Sequence, residues 1–436
     1  MKFKSLRDYP IANKRVIMRV DYNITLKKPA ASGDTSSADP TTATPSPTGE
    51  KPGTPAEVAD DTRIRVTVPT IQYLLEQNCS IIILSHFKRP AGQVLEELRL
   101  DPMARRLSQL LNHPVTKLNN IRGAEVEAAV QGLKPRDILM LENTRFYPEE
   151  ETNDAAFAAA IAAYGEVFVF DGFAVAHRDH ATVTGIAKLL PTLPGFSVEE
   201  EIRGLSLITD NPPQPHVALL GGMKISDKVK VIEALLKRSQ AVLIGGALAN
   251  TFLVAQGKPI GASLAESQEL DKKGKKVNPL DVARELLTGA AGKIVLPVDF
   301  VAAAELRAGA ETKIFDAEGG AEDGTKLPAD WMYLDIGPKS TEMFAAKLRA
   351  AKSVLWNGPM GAYETPGFDQ ATKVLAETVA GLRDNGSITV TGGGDTEAAI
   401  QHFGLGGRFT YSSTAGGASL KFIAGGKLPI LDYLVQ

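Results

Sequence analysis

Residues 215–237 read PHVALLGGMKISDKVKVIEALLK, a short apolar run that stops at two glycines and leads into a lysine-bearing amphipathic stretch. Val217, Ala218, Leu219 and Leu220 form a run too short for a buried helix and are expected as a strand. Ile225, Val229, Ile232 and Leu236 recur at helical spacing, which predicts a helix carrying Lys224 and Lys228 in its first turns on a different face. Two lysines one turn apart repel each other, and the positive end of the helix dipole adds to the cost. An anion would offset it, since backbone N–H groups at a glycine-opened helix start together with two ammonium groups suit a phosphate. The alternative is a solvated lysine face after an ordinary strand-to-helix turn.

The same strand-then-helix rhythm extends outward in both directions and predicts a parallel α/β sheet on each side. Toward the C-terminus, residues 241–244 end in Gly245 and Gly246, and residues 353–356 end in Asn357, Gly358 and Pro359. Residues 387–391 lead to Gly392, Gly393, Gly394 and Asp395, and residues 410–413 lead to Thr414, Ala415, Gly416 and Gly417. Glycine tolerates positive φ and lets backbone approach a ligand closely, so this edge is expected to take a nucleotide and its phosphates.

Toward the N-terminus the strand ends differ. Residues 15–20 end in Asp21, Tyr22 and Asn23; residues 81–84 end in Ser85, His86, Phe87, Lys88, Arg89 and Pro90. Residues 138–141 lead to Glu142, Asn143, Thr144 and Arg145, and residues 167–170 to Asp171, shortly before His177 and Arg178. Ligands of open α/β sheets bind outside the carboxyl ends of the strands. Arg63, His86, Arg89, Arg145 and Arg178 together therefore suggest a small, strongly anionic molecule, although each alone could be a surface ion pair.

Composition bounds the classes. The chain has 436 residues, 44% hydrophobic and 23% charged, with a formal net charge of −3. That length, at about 150 residues per domain, gives a prior of two or three domains, and two large ones are expected. The charge balance argues against a general nucleic-acid or membrane-surface binder. A single cysteine, Cys79, excludes an internal disulfide, and the absence of Cys/His clusters removes the usual zinc patterns. With no secretory h-region after the basic start and no membrane-length apolar run, a cytoplasmic, unanchored protein is expected.

The expected domains are residues 1–190, an interdomain connection and helix at 191–205, residues 206–415, and a C-terminal segment at 416–436. Residues 28–61, rich in Pro, Ser, Thr, Ala and Gly, are expected to be a disordered low-complexity insertion. No repeat of fixed period occurs.

The motifs RVDYN (19–23), DDTRIR (60–65), SHFKRP (85–90), LENTRF (141–146), AHRDH (176–180), LLGGMKISDK (219–228), GGALANTFL (245–253), LPVDF (296–300), LDIGP (334–338), WNGPMGAYE (356–364), GGGDT (392–396) and STAGGAS (413–419) occur in this order. In content and order they resemble phosphoglycerate kinase, over essentially the whole chain outside the insertion. The resemblance implies an α/β fold of two doubly wound parallel-sheet domains joined by a hinge helix, with the triose phosphate on the first domain, the adenine nucleotide on the second, and the C-terminus returning to the first. It implies that 3-phosphoglycerate is held by Asp21, Asn23, Arg63, His86, Arg89, Arg145 and Arg178. Nucleotide binding falls to Gly222, Lys224, Lys228, Gly245, Gly246, Pro338, Asn357, Glu364, Gly392, Gly393, Gly394, Asp395 and Thr396, with Gly245, Gly246 and Pro338 near the adenine and Glu364 at the ribose. Asp395 is the implied ligand of Mg²⁺, and Arg63, Lys224, Lys228, Gly416 and Gly417 the implied catalytic groups. A monomer is expected.

Chemistry agrees with these implications. Guanidinium forks match carboxylate and phosphate; a lone carboxylate suits a magnesium ion held mainly by phosphates and water; and a carboxylate nucleophile needs no base, which leaves His86 and His177 little proton-transfer work. The chain departs from the family's usual strings at residues 170–180, with Phe170, Gly172, Ala174, Val175 and Asp179, and at Lys88, Ala247, Leu248 and Ala415. Alternatives of another kind are a catalytically weak nucleotide-binding protein on the same scaffold and a kinase for a different small molecule.

Overall fold

The computed structural model describes residues 3–27, 56–266, 269–270 and 276–435. Its strands in chain order are β1 (Arg15–Val20), β2 (Ser80–Leu84), β3 (Thr116–Lys117), β4 (Ile138–Met140), β5 (Val167–Asp171), β6 (Thr192–Pro194), β7 (His216–Leu220), β8 (Ala241–Ile244), β9 (Glu269–Leu270), β10 (Lys276–Val277), β11 (Ile294–Val295), β12 (Asp299–Ala303), β13 (Lys313–Asp316), β14 (Met332–Ile336), β15 (Ser353–Asn357), β16 (Ile388–Gly392) and β17 (Tyr411–Ser413). Two six-stranded sheets dominate, one in the order β3-β4-β2-β1-β5-β6 and one in the order β11-β8-β7-β15-β16-β17. Every pairing within them is parallel. Their central strands are buried on both faces and carry continuous apolar runs, as parallel sheets covered by helices require.

Contacts divide the chain into one unit of Met1–Glu199 with Pro429–Gln436 and a second of Glu200–Leu428. In the first unit, β1 and β2 pack on the helices Val68–Glu76 and Asp101–Leu111 through Met18, Ile71, Leu74, Ile83, Met103 and Leu107, all fully buried. The last residues belong to this unit because Val435 exchanges backbone hydrogen bonds with Thr192 and Lys4, at 2.9 and 2.7 Å. In the second unit the core runs through Leu219, Leu243, Phe344, Trp356 and Leu375.

The boundaries differ from expectation in three places. Thr192–Pro194 is the edge strand of the first sheet, where a connection was expected, because its backbone completes the ladder beside β5. Residues 416–428 cluster with the second unit, and only the residues from Pro429 onward with the first. Within the expected insertion, residues 28–55 lie outside the described residues, but residues 56–61 are ordered, which corrects that part of the expectation. Val58 bridges Leu26, Ala59 N donates to Thr25 O at 2.9 Å, and Asp61 accepts from both Arg65 and Arg106.

A small sheet of antiparallel pairs, β13-β12-β14, lies in the second unit. It has no counterpart in the strand-helix rhythm, and its stacked Phe300 and Tyr333 rings, 4.3 Å apart, pack on the core.

The unit boundary falls inside one helix, Phe196–Thr209. Asp171, at the end of β5, receives Ser197 N at 3.0 Å and Val198 N at 3.3 Å on Oδ1, satisfying donors at the helix start. Burial pushes the Asp171 carboxyl up to about 6, against the hydrogen bonds from Ser197 and Val198. A carboxyl raised above its unfolded value near 3.9 gives stability that is complete below that value and is lost as pH rises through about 6. Asp171→Asn, which keeps an acceptor oxygen, is therefore expected to flatten the loss of stability between pH 5 and 7 by about 1 kcal/mol. Urea unfolding of both proteins at the two pH values measures this; parallel pH profiles would remove Asp171 as the cause.

Candidate functional site

In the first unit, the strand ends meet through side chains that fix one another. Asp21, 7% exposed, receives Arg63 Nη1 on Oδ2 at 2.6 Å and Asn23 N on Oδ1 at 3.0 Å. Asn23 Oδ1 accepts from Lys88 N at 2.9 Å, and Arg145 Nη1 donates to Lys88 O at 2.7 Å. Asn143, fully buried, receives Phe87 N and Arg145 N on Oδ1 and donates from Nδ2 to Phe87 O and Leu98 O. Its neighbour Glu142 accepts from Leu100 N, Arg99 and Lys117. Thus the loops after β1, β2 and β4 form one hydrogen-bonded edge that carries Asp21, Asn23, Arg63, His86 and Arg145.

Arg19, in β1 and 1% exposed, is a member that sequence reading passed over as part of an apolar strand. Its Nε donates to Thr182 Oγ1 at 3.0 Å, and Nη2 lies 3.4 Å from His86 Nδ1 and 3.9 Å from Glu150 Oε1. The signal was available: residues i and i+2 of a strand share a face, so Arg19 accompanies Asp21.

The electrostatics at this edge are unbalanced. Arg63 is paired with Asp21, and Arg145 Nε lies 3.2 Å from Glu151. Lys88, Arg89 and Arg178 have no carboxylate partner among the described residues. Burial, followed by the Arg19, Arg145, Arg178 and Arg63 charges, pushes His86 well below its ordinary range, so it is neutral at pH 7. Burial also lowers Arg145 to about 10, with Arg178 and Arg19 adding to the shift. Surplus positive charge on a fixed scaffold suits an anion. Among the family departures, Asp179 accepts Asn153 Nδ2 at 2.8 Å, Val175 fills the core, and Gly172 leaves room for the Asp21 backbone, 3.2 Å from where a Cβ would stand.

In the second unit, the turn after β7 departs from expectation. The helix begins only at Val229, so Lys224 and Lys228 do not share a face of its first turns; both lie in the irregular segment before it. In this segment Glu266 accepts Ile225 N at 2.7 Å and Ser226 N at 3.0 Å on Oε2. Gly222, at φ +99°, makes the turn possible. Burial lowers the Lys228 pKa, while Asp227 and Asp395 raise it.

The glycines divide into two groups. At Gly221 a Cβ would stand 1.9 Å from Pro359 O, at Gly358 2.6 Å from the Gly221 carbonyl, at Gly245 2.5 Å from Met360 Sδ, and at Gly393 2.6 Å from Asn357 Nδ2. At these four, neighbouring strand ends interlock and leave no room for a side chain. At Gly394, Gly416 and Gly417 a Cβ would meet open space. Thr396 Oγ1 receives Gly358 N at 2.7 Å and donates to Gly392 O at 2.9 Å, and Asn357 Nδ2 also donates to Gly392 O.

Gly222, Gly246, Glu364 and Asp395 line one cavity of about 360 Å³. Pro338 and Gly245 are not among its lining residues. Instead the cavity presents Met223, Leu264 and Leu306, exposed by 62, 64 and 52%. Buried Asn250 steadies Leu264 by donating to its carbonyl at 2.9 Å. Sequence periodicity gave no sign of this apolar rim, because its residues come from separate loops. A flat apolar group with a polar, anionic extension fits such walls. Ala247 lies in the first turn of the helix Gly246–Ala255 without positive φ, and Ala415 likewise has none, so alanine is accommodated at both departures. Among the described residues no group of three or more His, Cys, Asp or Glu could hold a metal ion; Asp395, exposed in the first turn of the helix Gly394–His402, offers one hard oxygen ligand.

A family profile described as phosphoglycerate kinase matches residues 50–426. The phosphoglycerate kinase of Moorella thermoacetica is 41% identical over 435 residues, covering 99% of both chains, and that of Rubrobacter xylanophilus is 41% identical over 436 residues, covering 100% of this chain and 99% of its own. Among solved structures, phosphoglycerate kinase from Coxiella burnetii matches with a TM-score of 0.80 at 33% identity, covering 99% of both chains. That from Pyrococcus horikoshii OT3 matches at 0.78 and 30%, covering 99% and 98%.

The two glycine groups make a test. Gly221→Ala must displace backbone and is expected to cost about 3 kcal/mol of stability. Gly394→Ala is expected to change stability by less than about 0.5 kcal/mol while weakening ADP binding. Denaturant midpoints and calorimetric titration with ADP separate the two effects; equal midpoints for both variants would refute the interlocking.

Proposed function

The chain belongs to the phosphoglycerate kinase family, and from that premise we propose how its own residues carry the family's reaction, reversible phosphoryl transfer between ATP and the carboxylate of 3-phosphoglycerate in glycolysis. A carboxylate oxygen attacks the γ-phosphorus, the new O–P bond forms as the bond to the bridging oxygen breaks, and ADP leaves. No proton is removed from the nucleophile, so neither His86 nor His177 acts as a base. Catalysis then consists of positioning and of neutralising charge on the equatorial oxygens.

The observation that carries this reading is the surplus of cations without a carboxylate partner among the described residues at the first unit's strand ends, Arg89 and Arg178 above all. We assign them, with Asp21, Asn23, Arg63, His86 and Arg145, to 3-phosphoglycerate. Neutral His86 would donate a hydrogen bond rather than a charge. In the second unit the adenine is assigned to the apolar-rimmed cavity, the ribose to Glu364, and the phosphates to Lys224, Lys228, Asn357, Thr396 and the backbone at Gly393–Gly394. The lowered pKa of Lys228 reflects burial that an anionic phosphate would relieve.

Mg²⁺, held by Asp395 and the nucleotide's own oxygens, would supply charge neutralisation on the phosphates. Arg63, Lys224 and the N–H groups at Gly416 and Gly417, where side-chain space is open, are assigned to the transferred group. A catalytically weak binding protein is not favoured, since Arg63, Lys224, Asp395, Gly416 and Gly417 are all retained. A monomer working in a reducing cytoplasm suits a chain whose one cysteine is free and buried.

Carboxylate and nucleotide are assigned to different units, so the reaction requires a closed state that brings the substrates together and excludes water; we propose bending about the Phe196–Thr209 helix. Solution scattering is expected to show a smaller radius of gyration with both substrates than with either. No change under conditions of confirmed turnover would refute it. Lys224→Ala and Arg63→Ala are each expected to lower kcat by about a hundred- to a thousandfold with a smaller change in KM. A coupled assay with ATP and 3-phosphoglycerate measures this, and near-normal kcat in both would remove them from the mechanism.

A further inference from the structure

Lys88 occupies a backbone conformation that a lysine rarely adopts, with φ +53°. Left-handed backbone at a residue with a Cβ carries a conformational cost that glycine avoids, and such residues persist where surrounding structure holds them. Here the holding groups are functional ones. Asn23 Oδ1 takes the Lys88 N–H at 2.9 Å, and Arg145 Nη1 donates to the Lys88 carbonyl at 2.7 Å. The preceding residue, Phe87, is clamped on both its N–H and its carbonyl by buried Asn143. The Lys88 backbone is therefore tied on both sides to residues assigned to the acidic substrate.

Its side chain is exposed, with Nζ 5.5 Å from the Phe87 ring centroid, and no carboxylate among the described residues neutralises it. It stands in sequence beside Arg89, which is also unpaired. Like charges gathered without a counter-charge repel, and a bound anion removes that penalty.

We propose that Lys88 is a further binding residue for the acidic substrate, adding a cation to the edge that carries Asn23 and Arg145 and strengthening capture of the triose phosphate without entering the phosphoryl-transfer step. This rests on the assignment of the cationic edge to 3-phosphoglycerate. The backbone tether fixes the point from which the Lys88 side chain leaves the edge. Its contribution is electrostatic and subject to screening.

Calorimetric titration of the intact protein with 3-phosphoglycerate, and separately with ADP, tests this with Lys88→Met, Lys88→Arg and Lys88→Gly. Lys88→Met keeps the side-chain bulk and backbone cost but removes the charge; it is expected to raise the 3-phosphoglycerate Kd about two- to fivefold at low ionic strength, with the difference vanishing at high salt and ADP affinity unchanged. Lys88→Arg is expected to bind as the parent does, and Lys88→Gly to match Lys88→Met. Overturning results are a Lys88→Met Kd equal to the parent's at low salt, a salt-independent difference, or a loss confined to Lys88→Gly, which would assign the effect to backbone geometry. If the parent protein binds ADP but not 3-phosphoglycerate, the assignment of the whole edge fails, and the role of Lys88 with it.

Discussion

Parallel strands deliver all their carboxyl ends to one edge, and each of the two large sheets of this chain is parallel throughout. Whatever residues follow the strands must then share a crowded border, where charges repel and backbones collide unless something intervenes. The first unit meets that constraint with hydrogen-bonded side chains, Asp21, Asn23 and Asn143, which hold loops apart and in register. The second meets it by omitting side chains, so that Gly221, Gly358 and Pro359 pack backbone on backbone. The difference between a charged edge and a glycine-rich one follows from these two solutions.

Each solution carries an energetic cost that function exploits. Burying Arg19 next to His86 and only 3.9 Å from Glu150 is expensive for an ion, and its charge adds to the burial that holds His86 neutral. Among the described residues Arg89 and Arg178 have no carboxylate partner, which stores repulsion that the proposed anionic ligand would relieve. On the nucleotide side the cost is conformational, with Gly222, Gly246, Gly358 and Gly393 all at positive φ, and the return is a rigid turn beside a cavity walled by Met223, Leu264 and Leu306.

Much of this was legible in the sequence. Apolar runs located the central strands because their burial on both faces leaves an uninterrupted hydrophobic signature, and the residues after them announced a cationic edge and a glycine-rich one. Motif order identified the family. What escaped depended on contacts distant in sequence. The helix expected to carry Lys224 starts only at Val229, after an irregular segment whose backbone donors at Ile225 and Ser226 are taken by Glu266, about forty residues on. Residues 56–61 looked like low-complexity loop, but Val58 pairs with Leu26. The interlocking of strand ends at Gly221, Gly245, Gly358 and Gly393 likewise depends on neighbours far along the chain. The β13-β12-β14 sheet and the apolar rim are assembled from segments with no periodic signal of their own.

The central claim is that the two substrates are held by chemically independent edges, one built on charge and one on backbone. Equilibrium binding of 3-phosphoglycerate and of ADP with Mg²⁺, each titrated alone into Arg178→Met and Asp395→Ala, tests it most directly. Arg178→Met should lose 3-phosphoglycerate affinity by at least about tenfold and keep that for ADP, and Asp395→Ala should lose the magnesium dependence of ADP binding and keep 3-phosphoglycerate. Either substitution weakening both ligands equally would contradict the account.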